Sequence, residues 1–343
     1  MLVPKPKLIL EIAEKSIPNR VWKAIERARA KKKKKHWPSW CYMPFLDFVD
    51  IVDNHRVNIG PNRAHAFTRL HILAVWRTSK GIYRIHGGLC PELLKTRMSG
   101  AIPFDTLCCL PEWCVYVELP PAIPICVQSY TGFFAMLSLF NRYDHTPSLH
   151  VGWVKGRNSA LVIDELPIIG SLQESVEHMA KVGTVLDPDR DPHKFSPLSQ
   201  QDQQDLENRF NVALQILLYL VATNADIRSS VGIQTPPQRP MAINVGKAPT
   251  SPKQWDVGFR LGPALRNHLP VQGLATHGNP PCARQGFSMR PHVRRAHWHH
   301  FWTGSTRDQS RRELKLKWLH PILVNVEDPE DLIPTIRNVE GSS

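Results

Sequence analysis

The sequence has little that would carry it into or across a membrane. Its longest apolar run, Val212 to Ala222, is about 11 residues long and contains Gln215, well short of the ~18 uncharged residues of a spanning helix. The first residues, Met1 to Lys15, mix Pro, Lys and Glu with short apolar patches and show neither the apolar core nor the small-residue cleavage site of a secretory signal. Cysteine is sparse: seven residues, Cys41, Cys90, Cys108, Cys109, Cys114, Cys126 and Cys282, an odd number without paired spacing. That pattern fits reduced, mostly buried thiols in a cytoplasm, not a disulfide scaffold, and it lacks the paired Cys or His spacing of a zinc site. No Walker loop, Gly-x-Gly-x-x-Gly, Gly-x-Ser-x-Gly or His-Glu-x-x-His occurs, so the common nucleotide, hydrolase and zincin templates are excluded. No internal repeat is present.

What is present is positive charge, and it is localised. The 343 residues, 42% hydrophobic, are enough for one large or two modest domains. Lys and Arg number 43 against 30 Asp and Glu, a net +13. Residues 1–36 hold 12 basic and 3 acidic side chains, residues 283–320 hold 9 and 2, and the stretch between is almost neutral. The tail after 320 is acidic. Clustered charge focuses potential on one partner, so the two basic ends point to polyanions, with a solubilising face as the plainer reading of Lys31–Lys35. The expected organisation is a basic N-terminal arm over 1–36, a body over 37–325 and an acidic, disordered tail over 326–343.

Apolar spacing predicts helices from Asn19 to about Lys34, from Ala64 to about Ser79, from Ser171 to Lys181 and from Gln203 to Thr223. The last has the clearest periodicity: Leu206, Phe210, Ala213, Leu217 and Leu220 step by 4, 3, 4 and 3. Strand-like runs cover Cys114–Leu119, Phe133–Phe140, Ser148–Val154 and Ala160–Leu166. Val115, Val117 and Leu119 alternate with Tyr116 and Glu118, the pattern of a half-buried strand. With short connections these four form an antiparallel meander, so the expected class is α+β, a meander flanked by helices. Residues 87–113 read as loop, and the five prolines between Gly232 and Asp256 make that stretch irregular.

The chemically richest stretch runs from Arg290 to Gly304, followed by Arg311, Arg312 and Leu314–Trp318. As two extended runs, Arg290–Trp302 and Glu313–Leu319, it forms a basic C-terminal hairpin. In a strand His292, Arg294, Ala296, Trp298, His300 and Trp302 share one face, and Val293, Arg295, His297, His299 and Phe301 the other. Arg beside stackable rings suits single-stranded nucleic acid. The candidate nucleic-acid or ribosome contacts are therefore Lys31, Lys32, Lys33, Lys34, Lys35, Arg294, Arg295, His297, Trp298, His299, Arg311 and Arg312. The plainer alternative is a hairpin that packs its tryptophans on the sheet. His297 and His299 could also serve as base and acid in RNA cleavage, but nothing in the spacing brings them to a further titratable group. No catalytic residue, metal or cofactor is expected. For Trp76 and Trp113 core packing is the reading.

Four strings carry a family resemblance: Ala74–Tyr83 (AVWRTSKGIY), Leu110–Val117 (LPEWCVYV), Leu217–Ile227 (LLYLVATNADI), and Arg290–His299 (RPHVRRAHWH) with Trp302 and Gly304. In this order the chain resembles the second type V-A anti-CRISPR family, found on phages and other mobile elements. The resemblance implies an inhibitor of the type V-A, Cpf-type CRISPR effector nuclease. It would recognise the effector's N-terminal segment on the nascent chain and cause loss of its transcript in the bacterial cytoplasm. The implied partners are that peptide and the ribosome or mRNA, with no membrane. The peptide-binding residues and the oligomeric state stay unassigned. A ribonuclease or RNA-binding module acting on the transcript, and a structural protein of the mobile element, remain alternatives.

Overall fold

The computed structural model describes residues 5–31, 37–58, 63–96, 100–121, 130–140, 143, 146–155, 160–182, 198–230, 249–268, 292–294, 296–304, 312–319 and 322–324. The helices are α1 (Lys5–Ser16), α2 (Asn19–Ala30), α3 (Phe45–Asn54), α4 (Arg63–Trp76), α5 (Leu89–Lys95), α6 (Phe104–Leu107), α7 (Leu172–Val182), α8 (Gln200–Val221) and α9 (Leu261–His268). The strands are β1 (Gly81–Ile85), β2 (Cys114–Glu118), β3 (Tyr130–Leu139), β4 (Pro147–Lys155), β5 (Ala160–Pro167), β6 (Ile227–Ser229), β7 (Lys253–Val257), β8 (His292–Arg294), β9 (His297–Thr303), β10 (Glu313–Leu319) and β11 (Ile322–Val324). Among the described residues no helix is long and apolar enough to cross a membrane.

The class is α+β, and the meander forms as expected: β2, β3, β4 and β5 lie side by side, each antiparallel to the next. The sheet is larger than the meander. Its order is β5-β4-β3-β2-β1-β7-β6, and β1 runs parallel to both β2 and β7. β7 occupies part of the proline-rich stretch expected to be irregular, and α5 and α6 interrupt the expected loop over 87–113. Each is only a few residues long, too short for periodicity to show against Gly, Pro and Cys.

Both faces of the sheet are buried. One cluster contains Tyr83, Val115, Val117, Phe133 and Trp153 with α5, α7 and α8; the other contains Ile82, Cys114, Tyr116, Phe134 and Met136 with α1 to α4. β2 is therefore not half-buried: Tyr116 and Cys114, on its second face, are as inaccessible as Val115 and Val117. Its first four residues, Cys114 to Val117, lie under two helical layers and carry no charge on either side. Local caps hold the helices over it. Ser171 and Glu174 form a capping box at the start of α7, where Glu174 N–H donates to Ser171 Oγ (3.2 Å) and Ser171 N–H to the Glu174 carboxylate (2.7 Å). Ser199 caps α8, its Oγ accepting from Asp202 N–H at 3.1 Å.

The basic N-terminus does not stand apart as an arm where it is described. Val21, Trp22 and Ile25 of α2 are buried in the same cluster as Phe67 and Trp76 of α4. Arg29, one of the 12 basic residues of 1–36, is buried; it donates to the carbonyls of Cys41 (2.9 Å) and Tyr42 (2.7 Å) and lies 4.5 Å from the Trp113 ring centroid. Arg77 on the other side joins Glu14 of α1 and Glu26 of α2. The apolar stripe of this basic helix is a core contact, with Arg29 satisfied by carbonyls and Glu26 paired with Arg77. The expected tail over 326–343 lies outside the described residues.

Candidate functional site

Where three parallel strands end together the backbone leaves an open cleft, the usual place for a ligand in an α/β sheet. Here the ends are those of β1, β2 and β7, and the cleft between them has a volume of about 520 Å³. Pairing sets a row of side chains across its floor: Glu118 on β2 lies opposite Arg84 on β1, Arg84 opposite Asp256 on β7, and Asp256 opposite Arg228 on β6. The charges alternate in sign. Asp256 joins Arg84 at 3.0 Å and Arg228 at 4.0 Å, while Arg84 also donates to Ser230 Oγ at 2.8 Å. The Arg84 Nε is buried with no partner. Leu119, Pro120 and Pro121 form one wall and Phe259 another, with the guanidinium groups of Arg228 and Arg260 at 4.3 and 5.0 Å from the Phe259 ring centroid. Arg260 is held by the buried Asp226, which accepts from its backbone N–H (2.6 Å) and its Nε (3.0 Å).

The first two recognisable strings meet at the start of β1, the end of the strand away from the cleft. Glu112, from the second string, is buried under the first: it accepts from Ser79 Oγ (2.7 Å), Gly81 N–H (3.1 Å) and Tyr83 Oη (3.2 Å). A Cβ at position 81 would collide with that carboxylate, so a larger residue where β1 begins would displace the Glu112 side chain. Burial pushes the Glu112 carboxyl up from its ordinary value, partly opposed by these three donors. This places Glu112 in structural support of β1 and β2. Trp76 and Trp113 are core residues, with indole N–H groups donating to Gly81 O and Ser39 O, each at 2.9 Å.

The third and fourth strings meet at the hairpin. β9 and β10 pair antiparallel, but the run expected to be one strand from Arg290 is broken: β8 pairs with β11, and β9 begins at His297. Trp318 is fully buried and donates to Thr96 Oγ1 at 3.0 Å. Asn224 accepts from Trp318 N–H (3.1 Å) and donates to Trp318 O (2.7 Å). Trp298 donates to Gln215 Oε1 at 2.7 Å, and Gln215 donates in turn to Thr96 O at 2.7 Å. Trp298, a candidate nucleic-acid contact above, is half-buried and anchors the hairpin to α8 through its indole N–H. His299 is exposed and His297 half-buried on the other face. Lys31 is exposed at the end of α2, Arg312 half-buried before β10, and Arg294 paired in β8; Lys32–Lys35, Arg295 and Arg311 lie outside the described residues. Among the described residues no group of three His, Cys, Asp or Glu could hold a metal ion.

The cleft row went unnoticed in the sequence because its members come from four strands spread over residues 84 to 256. The only trace was one charged residue in each of β1, β2 and β6 and Asp256 near the end of β7. Comparison with known proteins agrees with this architecture. Residues 83–326 match the model of the AcrVA2-like, anti-CRISPR type V subtype A2 family. The protein FinQ of Escherichia coli is 25% identical over 322 residues, 86% of this chain and 88% of that protein. The crystal structure of AcrVA2 superposes with a TM-score of 0.59, covering 94% of this chain and all of that one at 18% identity, a likeness of fold.

Proposed function

The chain belongs to the anti-CRISPR type V subtype A2 family, and from that premise we propose that it recognises the N-terminal segment of the type V-A effector on the nascent chain and lowers effector expression through loss of its mRNA. It acts by binding, without catalysis of its own, in the cytoplasm of the bacterial host. The observation that carries this reading is the family match over residues 83–326, which contains every residue of the cleft. The cleft supports it chemically. Its volume is in the range that takes a few side chains of a ligand, its Pro and Phe walls suit apolar residues, and its row of alternating charges supplies partners for either sign.

Two measurements test the reading. In calorimetry, the purified protein should bind a synthetic peptide of the effector's N-terminus and not its scrambled counterpart; equal affinity for both refutes peptide recognition. In cells, message for a translated effector reporter should fall, and message from the same reporter without its start codon should not. Loss of both messages, with cleavage of transcript by the purified protein that His297→Ala abolishes, would replace this reading with a ribonuclease.

A further inference from the structure

We propose that the outward face of the β9–β10 hairpin binds single-stranded RNA. On its inward face Leu316 and Trp318 are buried and Trp298 is bonded to Gln215, while His300 and Trp302 on that side stay exposed. Strand alternation then turns His299 and Phe301 of β9 to the opposite side, where their register partners are Lys317 and Lys315 of β10. The two rings lie parallel, 5° apart in plane with centroids 6.3 Å apart, and the Lys317 ammonium sits 4.7 Å from the Phe301 centroid. His299 is exposed, and Phe301, Lys315 and Lys317 are half-buried.

Rings on a sheet face, interleaved with cations, match the chemistry of an unpaired strand: bases offer π-faces to stack on and phosphates neutralise the lysines. A duplex would keep its bases stacked and offer no π-face to the rings. An acidic protein would use the lysines and leave the rings idle. The surrounding sequence points to the same partner, since residues 283–320 carry 9 basic and 2 acidic side chains. The attachment through Gln215, Thr96 and Asn224 makes the face a rigid platform, so little ordering is lost on binding.

The test is fluorescence anisotropy of a short, unstructured, labelled single-stranded RNA with the full-length protein over a salt series. No effector peptide is present, so the outcome is independent of the peptide reading. Phe301→Leu keeps apolar bulk and removes the π-face; it should weaken binding by about fivefold or more with the salt slope unchanged. Lys315→Gln with Lys317→Gln should flatten the log–log salt slope by about 1.4. Thermal melts should match wild type, since these side chains lie off the packed face. The proposal is overturned if the RNA fails to bind, if both variants bind as wild type does, or if an RNA duplex or polyglutamate binds as tightly as the single strand.

Discussion

Glu112 offers the sharpest test of how β1 and β2 are held. In Glu112→Ala three donors lose their acceptor: Ser79 Oγ, Gly81 N–H and Tyr83 Oη. An unsatisfied buried group costs about 1–3 kcal/mol, and reorientation of the two hydroxyls returns part of it, so the expected loss is about 3–5 kcal/mol. Glu112→Gln behaves differently. Its amide oxygen can keep Ser79 and Gly81 while its NH₂ donates to the Tyr83 hydroxyl, which turns to accept. It should stay within about 1 kcal/mol of wild type at neutral pH. The pH dependence has a definite sign. Burial raises the folded-state pKa, so the folded protein keeps this proton to higher pH than the unfolded chain does. The stability of wild type relative to Glu112→Gln is therefore greatest below the unfolded carboxyl's pKa of about 4.3 and declines as pH rises until the folded-state carboxyl has ionised. Urea unfolding followed by tryptophan fluorescence, repeated across pH, measures both effects. A Glu112→Ala variant within 1 kcal/mol of wild type, or a Gln variant as damaged as the Ala one, would refute the argument.

Four further outcomes follow from the same structure. Trp22→Ala should cost about 3–5 kcal/mol in urea unfolding, because α2 is core and not a dispensable arm; deletion of residues 1–31 should accordingly give a protein without a cooperative transition. Asn224→Ala removes both bonds to the Trp318 backbone and should speed hydrogen exchange across β9 and β10 while leaving exchange in β3 and β4 unchanged. Burial pushes His71 down to about 3, so the unfolded chain takes up its proton first on acidification and stability falls between about pH 6.5 and pH 3; His71→Phe, beside Phe48, should move the acid-unfolding midpoint to lower pH. Asp256→Asn breaks the alternating row and leaves Arg84 and Arg228 without their shared anion, so effector-peptide binding in calorimetry should weaken while the melting temperature moves by only a few degrees.

Local pattern was sufficient wherever one element's residues speak for themselves. Helix α8 could be read from five apolar residues stepping along one face, and the meander from runs separated by short turns, because hydrophobic periodicity and chain connectivity act over a few residues. The family could be read from four strings whose sense in space was hidden. Tertiary structure decided the rest. It made β1 the hub of a parallel trio, since β7 pairs with it from about 170 residues away along the chain, a distance at which no periodicity speaks. It made Arg29 a buried clamp and gave Trp298 an anchoring bond to α8, because burial and hydrogen bonds depend on which carbonyls and amides arrive from elsewhere. It also assembled the cleft, whose charges are ordinary strand residues in the sequence and become one alternating row only when parallel pairing of β2, β1 and β7 and antiparallel pairing of β7 with β6 set Glu118, Arg84, Asp256 and Arg228 at the same level.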